Sequence, residues 1–262
     1  MRTLCAVVLA GVLSTLALAQ TGVGVSPPRA VLEAQPGQLV QGVVVVDHPG
    51  NDAPMRVDVS LSDVVVQPDG ELVYLPPGSI PRSAASWVTV QPLSFVLAPK
   101  GAREVRYAVQ VPEGTPPGTY WTVLFFDSGP VQEEQGKGVG VRMRIRVGHV
   151  IYVNVGTITR SGRIEGVRYV PPAAKSPPQL RVQFRNTGNG LLRLNGYVEL
   201  RNAGGQVVAR GEIKNAASLP GFSYELAAPL ASPPPGGDYV ALIMLDYGGD
   251  QVIVGEGTVH VP

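Results

Sequence analysis

The chain has 262 residues, including 32 glycines and 25 prolines, and its 21 basic and 20 acidic residues give a formal net charge of +1. Such a density of helix breakers, combined with runs of valine, excludes a mainly helical protein and predicts β-structure with many turns. The near-neutral balance gives no general reason to expect nucleic acid or an anionic membrane surface as a partner. The length predicts one large domain or two ordinary ones.

Residues 1–19 have the pattern of a cleaved signal peptide. A short basic start precedes an apolar run from Leu4 to Leu18, and Ala17-Leu18-Ala19 has the small-residue spacing of a cleavage site. An uncleaved membrane anchor is the alternative, but the run is short for a spanning helix of about 20 residues. We therefore expect Sec-type export, a mature chain without a membrane span, and a periplasmic or extracellular, envelope-associated location. The single Cys5 lies inside the signal, so the mature chain contains no cysteine.

Short apolar or alternating segments separated by Pro/Gly turns predict strands along the rest of the chain. Before the glycines at 156–162, strands are predicted at 30–34, 39–47, 55–61, 71–75, 87–90, 95–97, 103–111, 121–126, 139–147 and 149–155. After them, strands are predicted at 164–169, 180–184, 192–201, 207–213, 223–226, 239–245 and 252–261. Within 39–47, the unbroken run Val43 to Val46 predicts a largely buried strand.

A repeated turn divides the chain into two similar units. Pro116-Pro117-Gly118-Thr119-Tyr120 and Pro234-Pro235-Gly236-Gly237-Asp238-Tyr239 each place a tyrosine just before an apolar strand late in its unit. A tyrosine at such a corner bonds its hydroxyl back to the main chain in immunoglobulin-like sandwiches. The sequence therefore predicts an all-β protein with two tandem immunoglobulin-like β-sandwiches, at residues 20–156 and 157–262. A single large barrel is the alternative.

The segment Val139 to Val147 stands out in the first unit. Its apolar residues alternate with Gly140, Arg142, Arg144 and Arg146, so a strand here has one apolar and one basic face. The twelve residues before it, 127–138, form a Gly-, Gln- and Glu-rich loop, and loops of that length are often functional. The segment is therefore the candidate partner surface. An ordinary strand with its apolar face in its own core is the alternative. Gly148 predicts a bulge after it.

No sequence motif indicates catalysis, a cofactor or a metal site. His48, His149 and His260 lie far apart, and neither a nucleophile elbow nor a phosphate loop occurs. Turns account for Asp47 and Asp52 beside His48, and for Asp246 and Asp250, better than weak cation sites do. Trp87 and Trp121 adjoin apolar strands, which favours core or rim positions over ligand platforms. We therefore predict a non-enzymatic protein with no cofactor.

Several segments together resemble the WxL-interacting cell-surface proteins. The first-unit segments resemble their N-terminal domain and are Ser86 to Val90, Phe95 to Gly101, Val105 to Pro112, Pro117 to Tyr120 and Arg144 to Val153. Asn186 to Asn189 and the hairpin Gly196 to Gly205 resemble the domain that follows in those proteins. The resemblance implies immunoglobulin-like domains associated with peptidoglycan binding. It covers most of the mature chain, but its motifs build sandwiches and mark no site.

The first unit also resembles, more distantly, the PapD-like periplasmic pilus chaperones. Pro28-Arg29-Ala30-Val31-Leu32 looks like their first strand, whose arginine holds the carboxylate terminus of a pilus subunit, and Val139 to Val147 looks like their donor strand. The resemblance implies that Arg29 is the anchor. The chaperones have a lysine near the end of the donor strand, roughly at His149 or Val150 here, and this chain has none. Only Arg146 or His149 is placed to substitute for it.

The sequence thus predicts a chaperone-like protein that engages an envelope or surface protein subunit by edge-strand addition. Its expected partner-binding residues are the anchor, the alternating apolar side chains and the neighbouring arginines: Arg29, Val139, Val141, Met143, Ile145, Val147, Arg144 and Arg146. The alternative is a structural or wall-anchored surface protein that binds peptidoglycan. Exposure of the apolar face at the sandwich rim favours the first hypothesis, and full coverage favours the second.

Overall fold

The computed structural model describes residues 22–50, 53–130, 144–249 and 251–262. The described chain is all-β apart from one 3-10 turn, Ala85–Trp87, and it forms two immunoglobulin-like β-sandwiches. Its strands are β1 (Gly24–Ser26), β2 (Arg29–Ala34), β3 (Leu39–Asp47), β4 (Met55–Val66), β5 (Leu72–Leu75), β6 (Val88–Gln91), β7 (Ser94–Leu97), β8 (Ala102–Gln110), β9 (Gly118–Pro130), β10 (Ile145–Val155), β11 (Gly162–Val170), β12 (Gln179–Asn186), β13 (Leu192–Arg201), β14 (Val207–Ser218), β15 (Ser223–Pro229), β16 (Gly237–Asp246) and β17 (Val252–Val261). The fold class predicted from the sequence is confirmed.

The first sandwich packs two sheets around one core. One sheet has the strand order β1-β3-β8-β6, and the other has the order β2-β10-β9-β4-β5, with β7 also paired to β4. Alternate side chains of both sheets point inward, as expected for a two-layer sandwich. The largest fully buried side chains of this core include Leu124, Phe126 and Ile151.

The second sandwich pairs the sheet β11-β12-β15 with the sheet β14-β13-β16-β17. Its core contains Phe184, Leu200 and Ile243 from both layers. The same hydrophobic cluster also includes Trp121 and Phe125, which lie on the outer face of β9 in the first sandwich. The two sandwiches therefore share buried apolar contacts.

Two local predictions are wrong, and each has a packing reason. In β3, Val44 and Val46 are fully buried but Val43 is 40% exposed, because one face of this antiparallel sheet meets solvent. At Gly148 the pairing of β10 with β9 continues without a bulge. A Cβ at Gly148 would lie 2.9 Å from a methyl group of Val123, so the glycine makes room for a cross-strand neighbour.

Both tyrosine corners are present. The Tyr120 hydroxyl donates to the Pro116 carbonyl at 3.0 Å, and the Tyr239 hydroxyl donates to the Pro235 carbonyl at 2.8 Å. Trp121 is buried as expected, and its indole Nε1 donates to the Val64 carbonyl at 2.8 Å. The two tyrosine bonds fix each Pro/Gly turn against the strand that follows it, and the Trp121 bond joins β9 to β4.

The predicted signal peptide, residues 1–19, lies outside the described residues. Within the described ranges, no helix is long and apolar enough to cross a membrane.

Candidate functional site

The first half of β10 has a hydrogen-bonded strand on one side only. β10 pairs with β9 along its whole length, from Ile145 opposite Ser128 to Val155 opposite Gly118. On its other side it pairs in parallel with β2, but only from Val150, opposite Arg29, onward. Within the described part of the chain, the main chain of residues 145–149 therefore has an open edge, which we call the open half of β10.

The direction of the main-chain groups follows from this pairing. The Val150 amide donates to the Pro28 carbonyl at 3.0 Å, on the side of β2. Because successive residues of a strand direct their N–H and C=O groups to opposite sides, Arg146 and Gly148 direct theirs to the same side as Val150. They lie before β2 begins to pair, so their main-chain groups line the open edge.

The apolar side chains of the open half are neither fully covered nor fully exposed. Ile145 and Val147 are half-buried and pack against the core of the first sandwich. Further along the same face, Ile151, Val153 and Val155 are completely buried. Burial on this face thus increases along the strand, so Ile145 and Val147 occupy the rim of the sandwich.

The arginines at this rim already have acidic neighbours. Arg146 is exposed and forms a bidentate ion pair with Asp127, with nitrogen–oxygen distances of 2.6 and 3.1 Å. Its guanidinium also lies 4.9 Å from the ring centre of Phe125. Arg144 is exposed. The pKa of Asp58 is lowered mainly by a hydrogen bond from Ser94, with smaller contributions from Arg56 and from the charge of Arg144.

Three of the predicted donated residues, Val139, Val141 and Met143, lie outside the described residues, as does Arg142. The described part of the candidate strand therefore consists of Arg144 to Val147, and the roles of all these residues stay predictions.

Arg29 begins β2 beside the point where the open half ends. It is exposed and lies opposite Val150, on the face of the sheet that also carries Tyr152. Arg193 of β13 reaches the same place from the second sandwich, with its guanidinium carbon 6.0 Å from the Tyr152 ring centre. Within the described ranges, no ion pair joins Arg29 or Arg193 to an acidic side chain.

The charges of Arg29 and Arg193 act on each other and on the Tyr152 hydroxyl. Burial, and then repulsion by Arg29, lower the pKa of Arg193. Burial raises the pKa of the Tyr152 hydroxyl, and the charges of Arg193 and Arg29 partly oppose that rise. Two neighbouring guanidinium groups without acidic partners repel each other, and an anion between them relieves the repulsion. We call Arg29, Arg193 and Tyr152 the arginine pair site.

His149 is not available as a substitute for the missing lysine. Its side chain is fully buried on the inner face of β10. Nδ1 lies 2.7 Å from the Pro27 carbonyl and therefore donates to it, which leaves Nε2 to accept from the Tyr107 hydroxyl at 3.1 Å. Burial lowers the pKa of His149, so the neutral ring is favoured. The His149 side chain therefore connects β10 to β8, which lies in the other sheet of the first sandwich.

A chain of polar contacts links the closed half of β10, residues 150–155, to the second sandwich. The Asn154 amide nitrogen donates to Glu33 at 2.8 Å, and the Thr119 hydroxyl donates to the Asn154 amide oxygen at 2.5 Å. The same hydroxyl accepts from the Leu191 amide at 2.9 Å, and the Thr119 amide donates to the Asn189 carbonyl at 2.8 Å. Together with the shared core, these bonds hold Arg193 near Arg29.

Arg193 was not predicted as a site residue, because no motif in the neighbouring sequence indicates a binding role. It lies more than 160 residues from Arg29 in the chain, and only packing of the second sandwich on β9 and β10 brings the two together. In the described ranges, no group of three or more His, Cys, Asp or Glu side chains is placed to hold a metal ion. No observation on those residues favours the wall-binding alternative.

Comparisons with known proteins identify the fold of this chain but not its family. No protein-family model matches the sequence, and no curated protein matches it significantly. The likeness to the WxL-interacting proteins stays a prediction, since none of these comparisons shows it.

Two solved structures share the architecture across both sandwiches. A chain of the structure described as "Chaperone-tip adhesin complex is vital for synergistic activation of CFA/I fimbriae biogenesis" superposes with a TM-score of 0.52 at 13% identity, covering 90% of this chain and 98% of that one. The class 5 fimbriae chaperone CfaA superposes with a TM-score of 0.52 at 14% identity, covering 92% of this chain and 100% of that one. The described chain therefore shares the two-sandwich fold of these two structures.

Proposed function

We propose that this chain is an exported, non-enzymatic protein of the cell envelope that acts as a chaperone-like factor in the assembly of surface structures. It engages a protein subunit by adding a strand along the open half of β10. The observation that carries the proposal is the one-sided pairing of residues 145–149. Such an edge offers main-chain bonds for affinity, while alternate side chains set the register.

The side chains at this edge suit the role. Ile145 and Val147 are half-buried at the rim, so part of their apolar surface is available to a partner. Arg146 points to the other face, where its bond to Asp127 fixes it away from the partner's core. The predicted donated residues Val139, Val141 and Met143 would extend the same apolar row toward the N-terminal end of the strand.

The arginine pair site supplies a natural end point for a bound chain. An extended segment that pairs with the open half runs toward Arg29, where β2 blocks further pairing. A terminal carboxylate at that position meets Arg29 and Arg193, whose forked donors match carboxylate geometry. In this proposal residues 20–156 form the partner-binding sandwich, and residues 157–262 form a second sandwich that contributes Arg193.

The experiment compares two substitutions of Arg146 that differ in one main-chain donor. Arg146→Ala and Arg146→Pro both remove the ion pair with Asp127, but only proline also removes the amide N–H at the open edge. Proline is tolerated on a strand edge whose N–H faces outward, so both variants are expected to fold. Each tagged full-length variant, including residues 1–19, is expressed in the organism that naturally produces the protein. The tagged protein is then purified together with any bound subunit, and mass spectrometry identifies and quantifies that subunit.

We expect Arg146→Ala to retain the subunit and Arg146→Pro to lose it, with thermal unfolding as the check that both proteins are folded. Equal retention by the two folded variants would show that main-chain pairing at this edge is not used, and the strand-addition proposal would be wrong.

A further inference from the structure

The open half of β10 lies next to a stretch of chain that changes sheets. In the parallel pairing of β2 with β10, Arg29 lies opposite Val150. Continued backwards in the same register, the chain before Arg29 would run beside the open half, with residues 24–28 opposite residues 145–149. These residues instead form β1, which pairs with β3 in the other sheet, and the two-residue crossover Pro27-Pro28. The edge is therefore open because the chain crosses over at this point.

The outermost rung of the β2–β10 ladder shows why pairing stops at the crossover. The Val150 amide donates to the Pro28 carbonyl at 3.0 Å. In a parallel ladder, the next rung toward the start of the strands would be an N–H from residue 28 to the Gly148 carbonyl. Proline has no N–H, and a ring carbon occupies the place of that hydrogen. Pro28 therefore cannot form the rung, and its ring carbon would press against the Gly148 carbonyl.

A buried side chain holds the crossover in place. On the inner face of β10, His149 Nδ1 donates to the Pro27 carbonyl at 2.7 Å. Successive residues of a strand direct their main-chain groups to opposite sides, so a continued ladder would point the Pro27 carbonyl away from β10. The bond from His149 instead turns this carbonyl toward the core of the sandwich. It therefore favours the path that leads to β3 over the path along β10.

The attachment of β1 to β3 is short and depends on a glycine. Three residue pairs join the two strands, beginning with Gly24 opposite Asp47. A Cβ at Gly24 would collide with the Asp47 carboxylate, so glycine allows this close approach. Burial of Val23 in the core of the first sandwich adds to the attachment. Since each hydrogen bond contributes only about 1 kcal/mol net, a competing ladder with as many bonds would be close in free energy.

The competing ladder would bond the main-chain groups that line the open edge. Arg146 and Gly148 each direct their N–H and their C=O to this edge. In the continued register, residues 24–28 present matching groups, except for the missing N–H of Pro28. The two arrangements of this segment are therefore close alternatives, and the residue at position 28 favours the one in which the edge is free.

We propose that Pro28 is a ladder stop that keeps the open half of β10 free, and that residues 24–28 are the protein's own competitor for this edge. Among the 25 prolines of the chain, Pro28 has this role because of its register with β10 and not because of its local sequence. The use of the free edge rests on the strand addition proposed above. The ladder stop itself acts in the chain without a partner, so it can be tested without one.

The test combines a substitution that supplies the missing donor with one that loosens β1. Pro28→Ala provides an N–H for the Gly148 carbonyl, and Gly24→Ala places a methyl group against Asp47. The protein variants are the two single substitutions and their combination. Pro36→Ala removes a proline from an exposed turn of the same sandwich and is the matched control for the greater flexibility of the unfolded chain.

Amide hydrogen exchange, measured by NMR on the purified protein, reports the state of the edge. In the natural protein we expect the Gly148 and Arg146 amides to exchange fast, and the Val147 amide, which faces β9, to exchange slowly. In the combined variant we expect the Gly148 amide to exchange about tenfold more slowly than in Gly24→Ala, because it gains a hydrogen bond. Pro36→Ala is expected to change nothing at Gly148. A merely destabilised fold would make exchange faster, so slower exchange identifies new pairing.

Unchanged exchange at the edge would overturn the proposal. This result is equal exchange at Gly148 in Gly24→Ala and in the combined variant, with thermal unfolding showing that both are folded. Slow exchange at both Gly148 and Arg146 in the natural protein would also overturn it, since the edge would then already be paired. If the combined variant does not fold, Pro28→Ala decides alone: the new amide at position 28 is expected to exchange slowly, and fast exchange there would contradict the proposal.

Retention of the subunit separates this proposal from strand addition itself. On the tagged chain we expect the combined variant to retain about tenfold less subunit than Gly24→Ala, which keeps the edge free. If Gly148 exchange slows but retention does not fall, the ladder stop is supported and strand addition at the open half is wrong. If retention is lost in Arg146→Pro but Gly148 exchange does not slow in the combined variant, strand addition is supported and the ladder stop is wrong.

Discussion

The two halves of β10 share one strand and one partner, β9, yet differ in what covers their other side. Residues 150–155 are enclosed by β2 and tied to the second sandwich through Asn154 and Thr119. Residues 145–149 have no hydrogen-bonded strand on that side within the described ranges, and Ile145 and Val147 are only half-buried. The same alternating pattern therefore stabilises the core in one half and leaves a half-buried apolar rim in the other.

The sharpest test of this contrast compares two isoleucines on one face of β10. Ile151 is fully buried, whereas Ile145 lies at the rim. We expect Ile151→Ala to lower the free energy of unfolding by about 3 kcal/mol, because it leaves a cavity, and Ile145→Ala by only about 1 kcal/mol. Urea unfolding followed by circular dichroism measures both. Equal losses would mean that the open half is as well covered as the closed half.

The second test concerns the arginine pair site, where the two halves meet. If the proposed carboxylate binds at this site, we expect Arg29→Ala and Arg193→Ala each to weaken subunit binding about tenfold, because each would remove a charge-assisted contact to it. Subunit retained on the tagged chain measures the effect, with Arg106→Ala as the control. If Arg193→Ala binds normally while Arg29→Ala does not, the second sandwich takes no part in the anion site.

The third and smallest effect is expected from His149, which marks the boundary between the halves. Its pKa is lowered in the folded state by burial, while in the unfolded state it is close to the ordinary value of about 6.5. The unfolded chain thus binds the proton more readily, so the contribution of His149 to stability is complete above about pH 6.5 and is lost as the pH falls toward the lowered value. The slope from one group is at most about 1.4 kcal/mol per pH unit.

His149→Gln is the control, since an amide can donate to Pro27 and accept from Tyr107 without titrating. Burial raises the pKa of Tyr107 to about 12, so Tyr107 stays neutral in the acid range. The free energy of unfolding is measured from pH 7.5 down to pH 5, a range of about one unit or more on either side of the ordinary histidine pKa. As the pH falls, it should decrease more steeply for the natural protein than for His149→Gln. Parallel curves would show that His149 does not titrate with unfolding.

Local patterns predicted much of the fold. The period-two alternation, the Pro/Gly turns and the two corner tyrosines are readable within a few residues, and Tyr120 and Tyr239 make the predicted bonds. The same local reasoning was wrong at Val43, because a run of valines does not reveal that one sheet face meets solvent. It was also wrong at Gly148, where the reason for glycine is the side chain of Val123 on another strand.

The candidate sites were harder to predict, since they depend on which segments meet. Arg29 and the alternation through Ile145 and Val147 were identified from the sequence, but Arg193 was not.

The sequence by itself determined the all-β class, the division into two sandwiches and the side of β10 on which its apolar residues lie. These features follow from the alternation of side chains along a strand and from the backbone preferences of glycine and proline, both of which act locally. Only the tertiary structure decided where β2 stops pairing with β10, and that Arg193 of the second sandwich lies over the Tyr152 ring near Arg29. Those features depend on contacts between distant segments, and no local pattern encodes which strand edge is left open or which side chains meet.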